Sequence, residues 1–164
     1  MPITRVDKDL DAHTMTVVAE YDAPVERVWQ LYADPRQLER FWGPPTWPAT
    51  VVDHDLRPGG RVTYVMTGPE GEKSAGYWDV LEVEAPRRFL VEDGFADDTG
   101  QPNPALPTTR MELELAERVG GGTTMTVVAT FASTDAMKQV IEMGMEEGMR
   151  EAMGQIDGIL TEAA

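Results

Sequence analysis

Residues 134–161 read TDAMKQVIEMGMEEGMREAMGQIDGILT and carry a helical apolar pattern over their whole length. At 100° per residue, the apolar side chains and two central glycines fall within about half of the helical wheel, and most charges lie opposite. Ser133 or Thr134 can cap the start, and Asp135 suits the positive end of the helix dipole. The segment therefore predicts one long amphipathic helix with one face buried against the rest of the chain.

The chain before this helix consists mainly of segments in which apolar and polar residues alternate, as they do in half-buried strands. Two short helices interrupt these segments, one beginning at Pro24 and one at Pro35, for which Asp34 is the predicted N-cap. The predicted strands are Met15–Tyr21 before the two helices and, after them, Thr50–Leu56, Arg61–Thr67, Gly76–Val83, Arg88–Asp93, Thr109–Glu117 and Thr123–Phe131.

Consecutive strands joined by short turns imply an antiparallel sheet. Because only one large apolar helix is available to cover a sheet face, we expect the sheet to curl around that helix. The predicted fold class is α+β, a curved antiparallel β-sheet wrapped around a long C-terminal α-helix in a helix-grip arrangement. Residues 1–13 are predicted as an N-terminal segment, of which residues 1–12 are irregular or a poorly paired edge, and residues 14–162 as a single domain.

For one predicted strand, Gly76–Val83, the alternation does not decide which face points inward. Trp78 and Val80 share one side of it, whereas Leu81 and Val83 share the other. A bulge would reconcile the two sets, and we favour the arrangement with Trp78 inward. A buried Trp78 indole N–H or Tyr64 hydroxyl would need a hydrogen-bond partner, and either can orient a polar group of a ligand.

The composition bounds the function. The chain has 164 residues, of which 41% are apolar and 26% charged, as expected for one globular domain. It has no Cys, which excludes disulfides, thiol catalysis and thiolate metal sites. A net charge of −15 argues against nucleic acid and anionic membranes as partners. No apolar run approaches the ~20 residues of a bilayer span, and the N-terminus lacks a secretory leader, so a soluble cytoplasmic protein is expected.

The sequence offers no motif for catalysis or metal binding. His13 and His54 are far apart and belong to no HExxH pattern, and His54 is expected at the surface. No GxSxG nucleophile turn and no phosphate-binding glycine motif occurs. Asp93, Asp97 and Asp98 lack the order of a calcium-binding loop. We therefore expect no catalytic residue, no metal and no cofactor.

Several short motifs follow one another in a specific order and spacing. They are Ala23-Pro24, Val28-Trp29, Asp34-Pro35, Phe41-Trp42-Gly43-Pro44, Asp55-Leu56-Arg57-Pro58-Gly59-Gly60, Gly76-Tyr77-Trp78 and Met143-Gly144-Met145-Glu146-Glu147-Gly148-Met149. Over roughly residues 14–162, the chain thereby resembles the SRPBCC (START-like) superfamily, in the group named after the activator of heat-shock-protein-90 ATPase homologue.

The resemblance implies a curved antiparallel sheet that grips a C-terminal helix, with a cavity between them. Members of the superfamily bind lipids, polyketides or other apolar molecules, and some are cyclases or hydrolases. The resemblance carries no catalytic triad over to this chain. A co-chaperone role belongs to members with a different domain organisation, and only the related domain supports it here.

Two glycines of the C-terminal helix carry the physical argument for a cavity. Gly144 and Gly148 lie near the middle of the buried face, where each weakens a helix by about 1 kcal/mol relative to Ala. Either a strand backbone packs closely against them, or they leave space for a ligand. Met145 and Met149 flank the gap, and such flexible side chains suit an adaptable pocket as well as an ordinary core.

Aromatic residues supply most of the other candidates. Trp42 and Trp47 bracket a Gly-Pro-Pro turn, where they can roof a cavity mouth or plug the end of the sheet. Phe95 leads into the segment 94–107, which is either a flexible flap over the entrance or a long solvated loop. The candidate ligand-binding residues are Trp42, Trp47, Tyr64, Met66, Trp78, Phe95, Met111, Met125, Ile141, Met145, Gly148 and Met149.

Three functions are compatible with these observations. The first is binding of a small apolar or amphipathic molecule in an enclosed apolar pocket. The second is a polyketide cyclase or hydrolase-like enzyme, which would need a titratable residue with a perturbed pKa inside that pocket. The third is a protein-interaction domain of the co-chaperone kind, which would show an exposed apolar patch instead. A homodimer is compatible with all three, and the first is favoured because the inward positions are nearly all apolar.

Overall fold

Eight antiparallel strands form one curved sheet in the computed structural model, which describes residues 3–97 and 99–162. Along the sheet the strands follow the order β1-β2-β8-β7-β6-β5-β4-β3, so β1 and β3 are its edges. The strands are β1 Ile3–Asp9, β2 Thr14–Tyr21, β3 Ala49–His54, β4 Arg61–Thr67, β5 Lys73–Glu84, β6 Arg88–Ala96, β7 Thr109–Glu117 and β8 Thr123–Phe131.

Two groups of helices accompany the sheet. Between β2 and β3 lie α1 (Val25–Ala33) and α2 (Pro35–Trp42), and after β8 come α3 (Thr134–Glu142), α4 (Met145–Met153) and α5 (Ile156–Leu160). The predicted α+β helix-grip fold is confirmed. Within the described residues, no helix is long and apolar enough to cross a bilayer.

The start of α2 confirms the predicted cap. The carboxylate of Asp34 accepts a hydrogen bond from the backbone N–H of Arg36 at 2.9 Å, and Pro35 occupies the first helical position. The same helix covers the edge strand β3. Arg36 donates to the carbonyl oxygen of Val51 at 2.8 Å, and Glu39 accepts from its N–H at 2.9 Å. Side chains of α2 thus satisfy backbone groups that an edge strand would otherwise leave unpaired.

Two segments that the sequence analysis left open form strands of the sheet, each with one register shift. Residues 3–9, expected to be irregular or a poorly paired edge, form the edge strand β1 and pair with β2 from Ile3 to Asp9. In β5 the register shifts between Val80 and Glu82, which leaves Leu81 exposed and keeps Trp78 fully buried. The expected bulge and the inward orientation of Trp78 are therefore confirmed.

The prediction of one continuous C-terminal helix is wrong. Gly144 has φ +87°, a left-handed conformation that ends α3 and starts α4, and a second turn separates α4 from α5. A helical wheel records which residues share a face but contains no information on backbone dihedrals, so it cannot show this break. The buried ends of the segment, Met137 in α3 and Ile156 in α5, still pack into the core.

The two central glycines should respond in opposite ways to the same substitution. A Cβ added at either would meet no atom within 4 Å, so sterics of the surroundings do not distinguish them. Gly144→Ala should lower the free energy of unfolding by about 1–2 kcal/mol, because an L-residue is strained at positive φ. Gly148→Ala should raise it by up to about 1 kcal/mol through helix propensity.

Equilibrium unfolding in urea measures both changes. A loss of stability in Gly148→Ala, or a gain in Gly144→Ala, would show that the backbone of this segment differs from the one described.

Candidate functional site

A cavity of about 470 Å³ lies between the sheet and α4. The inner face of the sheet forms its floor, including Met15, Met111 and Val127, and the side of α4 that carries Gly148 closes it from above. Since a Cβ at Gly148 would meet nothing within 4 Å, the helix stands away from the sheet at this point. Of the two alternatives considered for Gly144 and Gly148, the structure shows that they face open space and do not pack against a strand backbone.

Eight of the twelve candidate residues line this cavity. They are Trp42, Trp47, Tyr64, Met66, Met111, Met145, Gly148 and Met149. Methionine is the most frequent residue in the cavity lining. Met15, Met143 and Met153 line it in addition to the four methionines already named. Flexible, polarizable thioether side chains let an apolar wall adjust to the shape of an occupant.

Three candidates belong to the solid core instead. Trp78 is fully buried, with its ring centroid 4.9 Å from that of Trp42 and 5.5 Å from that of Phe89. Met125 is also fully buried, and its sulfur accepts a hydrogen bond from a tyrosine hydroxyl at 3.5 Å. Ile141 packs against the core from α3. For Trp78 and Met125 the inward position was predicted correctly, but the inner face of the sheet is longer than the cavity, and side chains fill the rest of it.

The fourth, Phe95, lies elsewhere because β6 is longer than predicted. The strand continues to Ala96, which bridges to Pro102, and Phe95 lines a second cleft of about 630 Å³ beside β4 and β5. Leu106 and neighbouring residues of the following loop border that second cleft and not the apolar cavity. A flap over the cavity entrance is therefore not what this segment forms. Asp98 lies outside the described residues.

One end of the cavity is polar. The hydroxyl of Tyr64 donates a hydrogen bond to Oδ1 of Asp93 at 2.9 Å. Burial away from water raises the pKa of Asp93 to about 7 and raises that of Tyr64 well above its usual value. The indole Nε1–H of Trp42 is buried here too and lies beside the Tyr64 hydroxyl, but it makes no well-aligned hydrogen bond in the described part of the chain. Trp42 packs edge-on to Tyr64, with ring centroids 5.7 Å apart.

The backbone of β5 makes the Tyr64–Asp93 contact possible. Tyr64 on β4 pairs with Gly76 on β5, and its ring lies directly over that glycine to reach the carboxylate on β6. A Cβ at Gly76 would lie 2.4 Å from the Cζ and Oη atoms of the tyrosine. Only glycine leaves room for this ring, so Gly76 has a direct role in shaping the polar end of the cavity.

Sequence reasoning missed Asp93, which was considered only as part of a calcium-type acidic run. A signal was available, because Asp93 follows Phe89 and Val91 on the inward-facing positions of one strand. A carboxylate on that face must be buried, paired or functional.

The cavity lining contains no Arg, Lys or His among the described residues. His54, expected at the surface, is half-buried, and its Nε2 bonds to the carbonyl oxygen of Tyr32 at 2.8 Å, which ties β3 to α1. In the described ranges, no three His, Asp or Glu side chains are arranged to hold a metal ion.

The position of α4 over the cavity is fixed by contacts at both of its ends. Glu146, in its first turn, pairs with Lys8 of β1 at 2.6 Å and with Arg150 at 3.2 Å. Beyond its last turn, the side chain of Gln155 donates to the carbonyl oxygen of Gly43 at 2.8 Å, next to the cavity-lining Trp42. These contacts hold the helix in place without filling the space beneath it.

A curved antiparallel sheet, C-terminal helices across its inner face and an apolar cavity between them define a helix-grip domain. Residues 22–161 match the family model described as activator of Hsp90 ATPase homolog 1-like protein. The chain belongs to this family. No protein with a curated description matches it significantly.

Solved structures agree with this assignment. The crystal structure of protein Ms6760 from Mycobacterium smegmatis is 55% identical, with a TM-score of 0.91 and 99% of both chains covered. The solution structure of a protein from Arthrobacter aurescens is 50% identical, with a TM-score of 0.91 over 98% of this chain and 93% of that one. DynU16, a protein of the dynemicin biosynthetic locus, shares the fold at 18% identity, with a TM-score of 0.61 over 88% of this chain and 47% of that one.

The buried carboxyl predicts a specific pH dependence of stability. Asp93 has a pKa of about 7 in the folded protein and near 4 in the unfolded chain, so between these values only the unfolded chain releases the proton. As the pH rises from 4 to 8, the free energy of unfolding of the wild type should fall by about 4 kcal/mol relative to that of Asp93→Asn.

Urea unfolding across this pH range tests the prediction, with Asp11→Asn as the control for an exposed carboxylate. A wild-type profile parallel to that of Asp93→Asn would contradict the burial of this group.

Proposed function

We propose that the protein binds a small apolar or amphipathic molecule in the cavity between the sheet and α4. The volume of about 470 Å³ lies within the range of small-molecule sites, which are apolar with a few polar groups. The observation that carries the proposal is the empty space facing Gly148. A residue that weakens its helix and leaves a void beside it is costly for stability alone, and an occupant of that void would offset the cost.

A second candidate is an enzyme of the cyclase or hydrolase type that uses the same cavity. The observation in its favour is Asp93, since a carboxyl with a pKa of about 7 can donate or accept a proton at neutral pH. The rest of the lining offers little for such chemistry, because it is almost entirely apolar. Binding without a reaction therefore remains the first proposal.

A protein-interaction role has less support. The exposed large apolar residues described are Leu10, Val52, Leu81, Val119 and Met143, each on a different strand, turn or hairpin. Apolar residues dispersed in this way are ordinary for a protein surface.

Filling the cavity should abolish binding without unfolding the protein. In Gly148→Leu the new side chain enters the open space beneath α4, so the dissociation constant of the neutral fluorescent probe N-phenyl-1-naphthylamine should rise at least about tenfold. Gly158→Leu is the matched control, because Gly158 is also helical and faces open space but is exposed and does not line the cavity. Its affinity for the probe should equal that of the wild type.

Fluorescence titration gives the affinities, and urea unfolding gives the stabilities. Unchanged probe affinity in Gly148→Leu would contradict the proposal, and so would strong destabilisation, which indicates a helix pressed against the sheet.

A further inference from the structure

We propose that the molecule bound in the cavity carries an uncharged oxygen, a hydroxyl or a carbonyl, which lies against Trp42 and Asp93, and that anionic amphiphiles are rejected. The proposal rests on the proposed binding function and specifies the chemistry of the ligand's polar end.

The polar end of the cavity has unused hydrogen-bonding capacity of two kinds. Tyr64 donates to Oδ1 of Asp93, and within the described residues Oδ2 makes no hydrogen bond. The Nε1–H of Trp42 is a buried donor that lies beside the Tyr64 hydroxyl but makes no well-aligned hydrogen bond within the described residues. A buried donor left unpaired loses its hydration without compensation, so its position beside a cavity calls for an acceptor on the occupant.

A carboxylate cannot be that acceptor. It would enter a pocket without any Arg, Lys or His in the described lining and would lie next to Asp93. Burying this negative charge without a cationic partner is strongly unfavourable, the more so where Asp93 is itself ionised, and the net charge of −15 adds to the repulsion. Fatty acids and similar anions are thereby disfavoured.

An ammonium group fits less well than an oxygen. It could pair with Asp93, but it has no acceptor to offer Trp42, whose N–H would then face a positive charge. Its hydration would also be exchanged for a single carboxyl that is about half protonated at neutral pH.

An uncharged oxygen satisfies both groups. A hydroxyl accepts from Trp42 and donates to the ionised Asp93. A carbonyl accepts from Trp42 and from the protonated Asp93. Hydroxyl and carbonyl ligands differ in how their affinity depends on pH. Only the carbonyl ligand needs the proton on Asp93, so its affinity should fall as the pH rises through about 7.

A matched series of naphthalenes tests this at pH 7 by competition with N-phenyl-1-naphthylamine. Naphthalene carries no polar group, 2-naphthol a hydroxyl, 2-acetylnaphthalene a carbonyl, 2-naphthoate a carboxylate and 2-(aminomethyl)naphthalene an ammonium. We expect at least one of the two oxygen compounds to bind about tenfold more tightly than naphthalene, and naphthoate to bind at least about tenfold more weakly than naphthalene.

Two variants locate the effect. Trp42→Phe keeps an aromatic ring but removes the N–H, so the preference for oxygen over naphthalene should shrink to about threefold or less. Trp29→Phe is the matched control, since Trp29 is also a buried tryptophan but does not line the cavity, and its indole nitrogen is not among the unpartnered atoms; its preference should equal that of the wild type. At pH 8, about one unit above the pKa of Asp93, Asp93→Asn should strengthen naphthoate binding about tenfold, because the variant has no ionised acid beside the ligand.

The outcomes separate this inference from the binding function itself. If naphthalene and the oxygen compounds bind equally, or if naphthoate or the ammonium compound binds best, the inference is overturned and the binding function stands. If neither the probe nor any naphthalene binds, the binding function is overturned, and the inference with it. A preference that persists unchanged in Trp42→Phe overturns the assigned role of its N–H.

Discussion

The architecture depends on a backbone constraint in the C-terminal segment. Gly144 adopts a left-handed conformation that ends α3 and redirects the chain, and Gly148 then presents no side chain to the sheet. A continuous helix with a side chain at every position would have neither the break at Gly144 nor the gap at Gly148, and its side chains would fill the space. The ends of the segment pack tightly through Met137 and Ile156, so stability comes from both flanks while the middle stays open.

The same division between solid core and open space runs along the inner face of the sheet. Trp78 and Phe89 pack together, fully buried, at one part of it, whereas the methionines at the other part line a cavity of about 470 Å³. Where the two parts meet, Tyr64 crosses over Gly76 to hold Asp93. Burying a single carboxyl group in an apolar pocket lowers the stability of the fold, and here that group, Asp93, gives the cavity one polar end.

The sequence predicted the sheet well because strand alternation is a local signal. It located β2 to β8 to within a few residues but not β1, and the conflict between Trp78 and Leu81 correctly indicated a bulge. It could not predict the break at Gly144, since a face pattern contains no dihedral angles. Nor could alternation distinguish Met111, which lines the cavity, from Met125, which lies in the core, because both face inward and only three-dimensional packing separates them.

The most direct test of the open space beneath α4 is NMR of protein labelled with [¹³C]methyl methionine, titrated with N-phenyl-1-naphthylamine. The account predicts that the methyl signals of cavity methionines such as Met111, Met145 and Met149 shift on binding, while those of Met125 and Met137, which are fully buried outside the cavity, stay in place. Saturable probe binding that leaves all the cavity methionines unshifted would contradict it.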